Sequence, residues 1–286
     1  MSDESKTFEQ VVSDIPLPAC PAVLIQIDHL IGRADFDFGE LSALIRKDVA
    51  LSAGLIKLSN SPVYSLRHNT SIPLALQMIG ARNVAFYARA FLLQSSVANG
   101  SSTTRFWDSS WRVAEMSARL AKQLHKDKHD EVFTFGLFRD VGIAVLMTHY
   151  ANYKAILNQA NQDAEQVFTE HENREYGVNH AQVGAFIAAD WHLPDYFVAA
   201  IHCHHDPASL QAMALPAAAQ QRAMEMIALA QIAEHAVQQR TGLSQTHEWV
   251  KLKDFCMNTL QLAEPALDEL IASAVAACIS AGDFGE

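Results

Sequence analysis

Apolar positions along this chain recur every three or four residues over most of its length, the spacing that gathers them on one face of an α-helix. Val23, Leu24, Ile27, Leu30 and Ile31 follow it from Ala22 to Ile31, after a segment punctuated by Pro16, Pro18 and Pro21. Leu41, Leu44 and Ile45 form the stripe of a second helix, Gly39 to Lys47. Asp48 suits the N-cap of a third, marked by Leu51, Leu55, Ile56 and Leu58. That helix stops at Ser59-Asn60-Ser61-Pro62, because a proline disfavours helix in the residue before it. A polar loop, Arg67 to Ser71, leads to a helix over Leu74 to Ile79 that Gly80 ends. Asn83 to Ser95 is apolar nearly all round, which predicts deep burial.

The Gly/Ser/Thr cluster Asn99 to Thr104 reads as a boundary between two helical units. Beyond it, Phe106 to Leu124 turns Trp107, Trp111, Met116 and Leu120 inward. A charged turn, His125 to Glu131, precedes a very apolar helical region, Val132 to Tyr150, that contains Phe138-Arg139-Asp140. Asn152 to Ala160 and Ala164 to Tyr176 read as amphipathic helices, the latter with the face Val167, His171 and Tyr176, broken at Gly177. His180 to Trp191 is a helix of small residues, and Leu193-Pro194 separates it from the next. Met213 to Ala219 is a loop, Met224 to Gln239 another helix, and Leu270 to Gly282 a buried helix too short to span a bilayer. The pattern predicts an all-α protein.

Composition agrees. Half of the 286 residues are apolar, and only 12 are glycine and 9 proline. A net charge of −11 argues against a nucleic-acid partner, since a phosphate backbone calls for a basic face. Cys20, Cys203, Cys256 and Cys278 are far apart with no CxxC spacing, which reads as buried thiols in a reducing compartment. The polar, acidic N-terminus has no apolar core of a secretory signal, so a cytoplasmic protein without membrane attachment is expected. No receiver, cyclase or kinase segment is expected among these residues. There is no 20–50-residue repeat, no Gly-rich phosphate loop and no GxSxG elbow.

The chemistry concentrates in Ala-Ala-Ile-His-Cys-His-His-Asp-Pro, Ala199 to Pro207. Imidazole, thiolate and carboxylate bind transition metals. Helical geometry argues for a milder reading. His202 shares a face with His205 and Asp206, while His204 and His205 point about 100° apart, so only one of that pair should face a given pocket. A polar cluster at a helix end is the default expectation, with Cys203 a buried, inert thiol.

Several motifs in order resemble the HDOD family, a group of output domains related to the HD phosphohydrolases. Leu17-Pro18-Ala19-Cys20-Pro21-Ala22-Val23, Ile45-Arg46-Lys47-Asp48-Val49-Ala50-Leu51, Leu58-Ser59-Asn60-Ser61 and Ala75-Leu76-Gln77-Met78-Ile79-Gly80 carry the likeness in the first third. Phe106-Trp107, Gly136-Leu137-Phe138-Arg139-Asp140-Val141-Gly142, Tyr176 to Ala185, Trp191-His192-Leu193-Pro194 and Ile201 to His205 continue it, over roughly residues 15 to 235. The resemblance implies a tail (1–14), an N-terminal helical subdomain (15–98), an HD-like helical subdomain (99–240), and C-terminal helices packed on the latter (241–286). It also implies a bacterial signalling role, usually without hydrolysis.

Catalytic HD enzymes hold one or two divalent metals on His and Asp ligands that activate water and clamp phosphate. Matching those positions onto this chain gives Ser109 for the first histidine, Arg139 for the histidine of the His-Asp dyad, and Gln231 for the closing aspartate. Asp140, His180, His204 and His205 are retained. A serine, a guanidinium and an amide are poor ligands, and Arg139 adds a fixed charge expected to repel an ion. The expectation is therefore a vestigial pocket formed by Ser109, Arg139, Asp140, His180, His204, His205 and Gln231, without catalysis or a resident cofactor. Any metal there would be adventitious, on Asp140, His180, His204 and His205. Arg139 is expected to pair with Asp140 or to clamp the phosphate of a nucleotide. Partners are expected to be signalling proteins or a phosphate-bearing small molecule. The alternatives are a phosphohydrolase with an altered ligand set and a nucleotide sensor.

Overall fold

The structure, a computed structural model, describes residues 8–61, 64, 69–97, 101–125, 129–242 and 244–280. Among these, all regular structure is helical. The N-terminal helices are α1 (Phe8–Ser13), α2 (Ala22–Ile31), α3 (Phe38–Ile45), α4 (Val49–Ser59), α5 (Ile72–Ile79) and α6 (Ala81–Val97). There follow α7 (Ser101–Gln123), α8 (His129–Phe138), α9 (Val141–His149), α10 (Tyr153–Gln162), α11 (Glu170–Tyr176), α12 (His180–Asp190) and α13 (Asp195–Cys203). A 3₁₀ turn, Pro207–Ala212, leads to α14 (Ala217–Thr241), α15 (Glu248–Leu260) and α16 (Glu264–Ser280).

Short polar side chains start these helices by satisfying amides that have no partner inside the helix. Asp37 accepts from Gly39 N at 2.7 Å, and Asp48 from Leu51 N at 2.9 Å. Asn179 and Gln182 cap α12 reciprocally. Gly177, at φ +71°, ends α11 in the left-handed region and turns the chain toward α12.

The long helix α7 lies centrally, packed on α8, α14 and α16; α12 pairs with α9 and α13, and α4 packs on α5 and α6. The fully buried Phe197 on α13 meets Phe135 and Phe138 on α8 with ring centroids 5.8 and 6.3 Å away. Burying such a ring contributes about 1.5–3 kcal/mol, enough to fix α13, whose end carries the histidines, against α8. Arg89 on α6 donates to Trp191 O at 2.9 Å and Asp28 Oδ2 at 2.6 Å, joining α2 and α6 to the end of α12.

Several expectations change. The apolar region Val132 to Tyr150 is two helices, broken at Arg139-Asp140. By length and composition, 129–149 would suffice to cross a membrane, but 72% of its window is buried inside the protein. His129 to Glu131 belong to α8, not to a charged turn. Asp130 accepts from Tyr87 Oη at 2.9 Å, and Glu131 from Tyr196 Oη at 3.0 Å, so both carboxylates are buried with partners. Ser101 to Thr104 form the first turn of α7. The helix foreseen from Ala164 starts only at Glu170, because Asp163 accepts from Glu165 N and Gln166 N and holds the backbone in a turn. The C-terminal α16 buries Ala274 and Cys278 but leaves Ile279 49% exposed, so it is a one-sided surface helix. Residues 1–7, Pro62, Arg67, 98–100 and 281–286 lie outside the described residues.

Cys203, Cys256 and Cys278 are buried and Cys20 is half-buried. Burial pushes the Cys256 thiol up to about 12. A disulfide reagent at neutral pH is therefore expected to label Cys20 first and Cys256 only after denaturation; equal labelling rates in the folded protein would contradict this packing.

Candidate metal centre

Three helix ends meet below a cleft. The break between α8 and α9 places Asp140 at the N-cap of α9. Two residues on, Gly142 lets that end press against the start of α12, where a Cβ would lie 2.0 Å from the His180 carbonyl oxygen. The close approach sets Asp140 beside His180, the first residue of α12. The third end is that of α13, just past which stand His204 and His205.

One ligand atom from each of Asp140, His180, His204 and His205 lies within 4.8 Å of all the others. His205 Nε2 is 3.0 Å from His180 Nε2, which is 3.4 Å from His204 Nε2. Asp140 Oδ1 is 3.1 Å from His204 Nε2 and 3.7 Å from His180 Nε2. The expectation that only one of His204 and His205 faces the pocket is overturned. The helix ends at Cys203, and a separate acceptor turns each ring. His204 Nδ1 reaches back to Ile201 O at 2.6 Å, and His205 Nδ1 reaches Glu248 Oε2 at 2.5 Å. Both Nε2 atoms then point at His180. His202 departs from the group; it is exposed and lines a separate, mostly apolar groove with Val198, Met213 and Leu215.

The tautomers follow from these acceptors. Ile201 O only accepts, so Nδ1 of His204 carries a proton, which leaves Nε2 a lone pair whenever the ring is neutral. The carboxylates of Glu172, 2.6 Å from His180 Nδ1, and Glu248 impose the same tautomer on His180 and His205. Three imidazole lone pairs and a carboxylate oxygen thus converge in a site where His180 and His204 are at most 1% exposed. A proton on one imidazole relieves only some of that repulsion. One cation between the four atoms relieves all of it, and imidazole nitrogen with carboxylate oxygen suits a first-row divalent metal.

The surrounding charge fits as well. Burial lowers the basicity of His180, but the Glu172 carboxylate overcomes this and raises its pKa. Burial, with His204 and His180 beside it, pushes His205 well below the ordinary histidine value, which opposes a second proton in the cluster. Arg139, 3% exposed, places Nε 3.1 Å from Asp140 Oδ2 and an Nη 2.9 Å from Glu234 Oε2. Burial opposes the charge on Arg139, but Asp140 and Glu234 hold its pKa raised. Burial pushes Asp140 up, but the Arg139 guanidinium together with His204 and His180 more than reverses this, so it stays below the usual carboxylate range. The expected repulsion of an ion by Arg139 is thereby offset. In this shell four carboxylates, Asp140, Glu172, Glu234 and Glu248, face two cations, Arg139 and Lys251. Counted with these six groups ionised, the surplus is two negative charges, which a divalent ion neutralises.

Above the cluster opens a cavity of about 650 Å³, with Ser109, Arg139, Asp140 and His205 in its wall alongside Arg105, Arg112 and Lys154. Ser109 thus borders the pocket without reaching the cluster of four. Gln231 is buried in α14 and is not in the wall, which α14 lines with Glu234, one turn later, and with Val237 and Thr241. The sequence reading missed Glu172, Glu234, Glu248, Lys251 and Tyr153, whose hydroxyl donates to Glu172. A glutamate in register with Leu252, Cys256 and Leu260 on α15 was the available signal for Glu248.

Comparison with known proteins bears on the fold. The HDOD domain description matches residues 17–207. The chain belongs to the HDOD family. The HDOD chain is 27% identical over 198 residues to an uncharacterised protein of Treponema pallidum (strain Nichols), covering 66% of this chain and 38% of that longer protein. An HDOD domain protein of unknown function from Geobacter sulfurreducens superposes with a TM-score of 0.68 at 20% identity, over 97% of this chain and 96% of the other. A candidate phosphohydrolase of Shewanella amazonensis SB2B gives 0.68 at 18%, also over 97% and 96%. A candidate signal-transduction protein of Marinobacter aquaeolei VT8 gives 0.62 at 18%, over 98% and 62%. The HDOD match contains Asp140, His180, His204 and His205 but ends before Glu234 and Glu248.

Proposed function

We propose that this HDOD protein is a regulatory module whose HD-type pocket holds one divalent transition metal and binds an anionic ligand above it without turning it over. The observation that carries the reading is the convergence of one ligand atom from each of Asp140, His180, His204 and His205 within 4.8 Å, with each Nδ1 turned to a carboxylate or carbonyl oxygen behind it. When bound, the metal supplies a fixed positive charge beneath the anionic ligand. Arg105, Arg112 and Lys154 in the cavity wall suit a phosphate-bearing small molecule, and 650 Å³ is room for one of nucleotide size.

Two observations favour binding over turnover. Four protein ligands fill a tetrahedral ion, as in structural sites, whereas catalytic zinc keeps a position open. The second oxygen of Asp140, which would have to bridge to a second metal, faces Arg139 instead. Arg139 pairs its charge with Asp140 and Glu234, so the phosphate-reading role falls to the other cations of the cavity wall.

Purified protein, demetallated and reloaded, is expected to take up one zinc or manganese per chain by elemental analysis. His180→Ala should lose it, and neither protein should hydrolyse phosphodiesters or phosphomonoesters. Absence of any metal uptake overturns the metal reading. Turnover that His180→Ala abolishes overturns the regulatory one in favour of a phosphohydrolase.

A further inference from the structure

The residues that orient the metal-binding histidines do not all come from the HDOD match. His205 takes its orientation from Glu248, the first residue of α15, which begins 41 positions beyond the last matched residue. Glu248 heads the stripe that seats α15: Glu248, Leu252, Cys256 and Leu260 follow at intervals of four and are 1%, 6%, 0% and 8% exposed. A carboxylate thus takes the first place in an apolar row, and its partners there are His205 and, at 2.9 Å, Lys251 Nζ.

The head of α15 is fastened at further points. Lys251 Nζ donates to Gln166 O at 2.6 Å, and His247 N donates to Asn161 O at 3.2 Å. The 161–168 segment so gripped carries Phe168, whose ring stacks on His205 at 4.5 Å between centroids, 7° from parallel. Phe168 and Glu248 together fix the plane and the tautomer of His205. Ser244, Thr246 and Glu248 also stand in the wall of the cavity.

We infer that docking of α15 and metal loading are coupled through Glu248, a positioning residue, so that whatever loosens α15 weakens the metal site and metal in turn fastens α15. This rests on the metal reading above. With α15 in place, His205 presents a fixed Nε2 lone pair. With α15 displaced, the buried Nδ1–H loses its acceptor and the ring loses its orientation, leaving three ligands. Carboxylates in this position behind a metal-bound histidine typically govern affinity by about 10–100-fold. Linkage requires that metal favour the docked state of α15 by the same factor.

Hydrogen exchange of the full-length protein, with and without saturating Zn²⁺, tests this. In the parent, zinc should slow exchange of the 252–260 amides at least about tenfold. Glu248→Gln, which keeps the shape but loses the charge, should bind zinc about 10–100-fold more weakly and lose that protection. Leu252→Ala, which loosens the same stripe without touching His205, should also weaken zinc binding, an effect absent from a merely structural role. Zinc binding at full affinity with unchanged α15 exchange, or a Glu248→Gln protein that binds like the parent, overturns the coupling while sparing the metal site. Failure of the parent to bind zinc overturns both.

Discussion

Gly142→Ala is expected to cost the protein about 3 kcal/mol or more and to lower Tm by roughly 6 °C or more. The added methyl would sit 2.0 Å from the His180 carbonyl oxygen and 2.7 Å from its carbonyl carbon. Both are backbone atoms, so no side-chain rotation relieves the clash; α9 and α12 must move apart. Overpacking a core usually costs about 1–3 kcal/mol, and the upper end applies where only a helix shift makes room. The same shift separates Asp140, two residues before the glycine, from His180. Metal affinity should therefore fall with stability, which thermal melts of apo and zinc-loaded protein would show. Gly242→Ala is the control, since a Cβ there meets nothing within 4 Å and only the backbone, at φ +67°, is strained. That change should cost about 1 kcal/mol and leave zinc binding alone. Equal losses in the two variants would remove the special role of the α9–α12 contact.

The helical architecture was legible because local rules and packing agree: Ala22–Ile31 forms as the apolar spacing predicts, and Asp48, Gly80 and Gly177 act at the ends they mark. What failed locally failed for tertiary reasons. Nothing in Val132 to Tyr150 announces a break at Arg139-Asp140, because the break is held by Gly142 against a carbonyl from another helix. At the site, the four candidate ligands were visible through the family likeness, but their geometry was not. The 100° rule treats His204 and His205 as members of one continuing helix, whereas here they stand past its end and are oriented by Ile201 O and by Glu248, 43 residues away. The supporting carboxylates were invisible for a related reason. Glu172, Glu234 and Glu248 read as ordinary helical glutamates until burial shows that each has a cationic or N–H partner in the shell.

Glu172 lends itself to separating stability from metal affinity. Its carboxylate is 0% exposed, accepts from Tyr153 Oη and lies 2.6 Å from His180 Nδ1. Glu172→Ala strands three buried donors, Tyr153 O–H, His180 Nδ1–H and the His180 backbone N–H, at a cost of about 1–3 kcal/mol each at most, and breaking a buried polar pair commonly costs about 3–5 kcal/mol in total. Apo protein should melt roughly 6–10 °C lower. Glu172→Gln behaves differently. Its amide oxygen still accepts from His180 Nδ1, while its NH₂ turns to the Tyr153 oxygen, which accepts as readily as it donates. Apo stability should fall by only about 1 kcal/mol. The lost charge makes His180 a weaker base, so zinc affinity should drop about 10–100-fold even though the fold is intact. Zinc at 1,000 times its Kd raises the unfolding free energy by about 4 kcal/mol, and a hundredfold weaker site keeps only about 1.4 kcal/mol of it. The zinc-dependent rise in Tm, compared between the parent and Glu172→Gln, therefore reads the electrostatic role directly. If both proteins gain the same rise, Glu172 serves only to satisfy Tyr153 and His180 in the core, and the basicity of His180 does not depend on it.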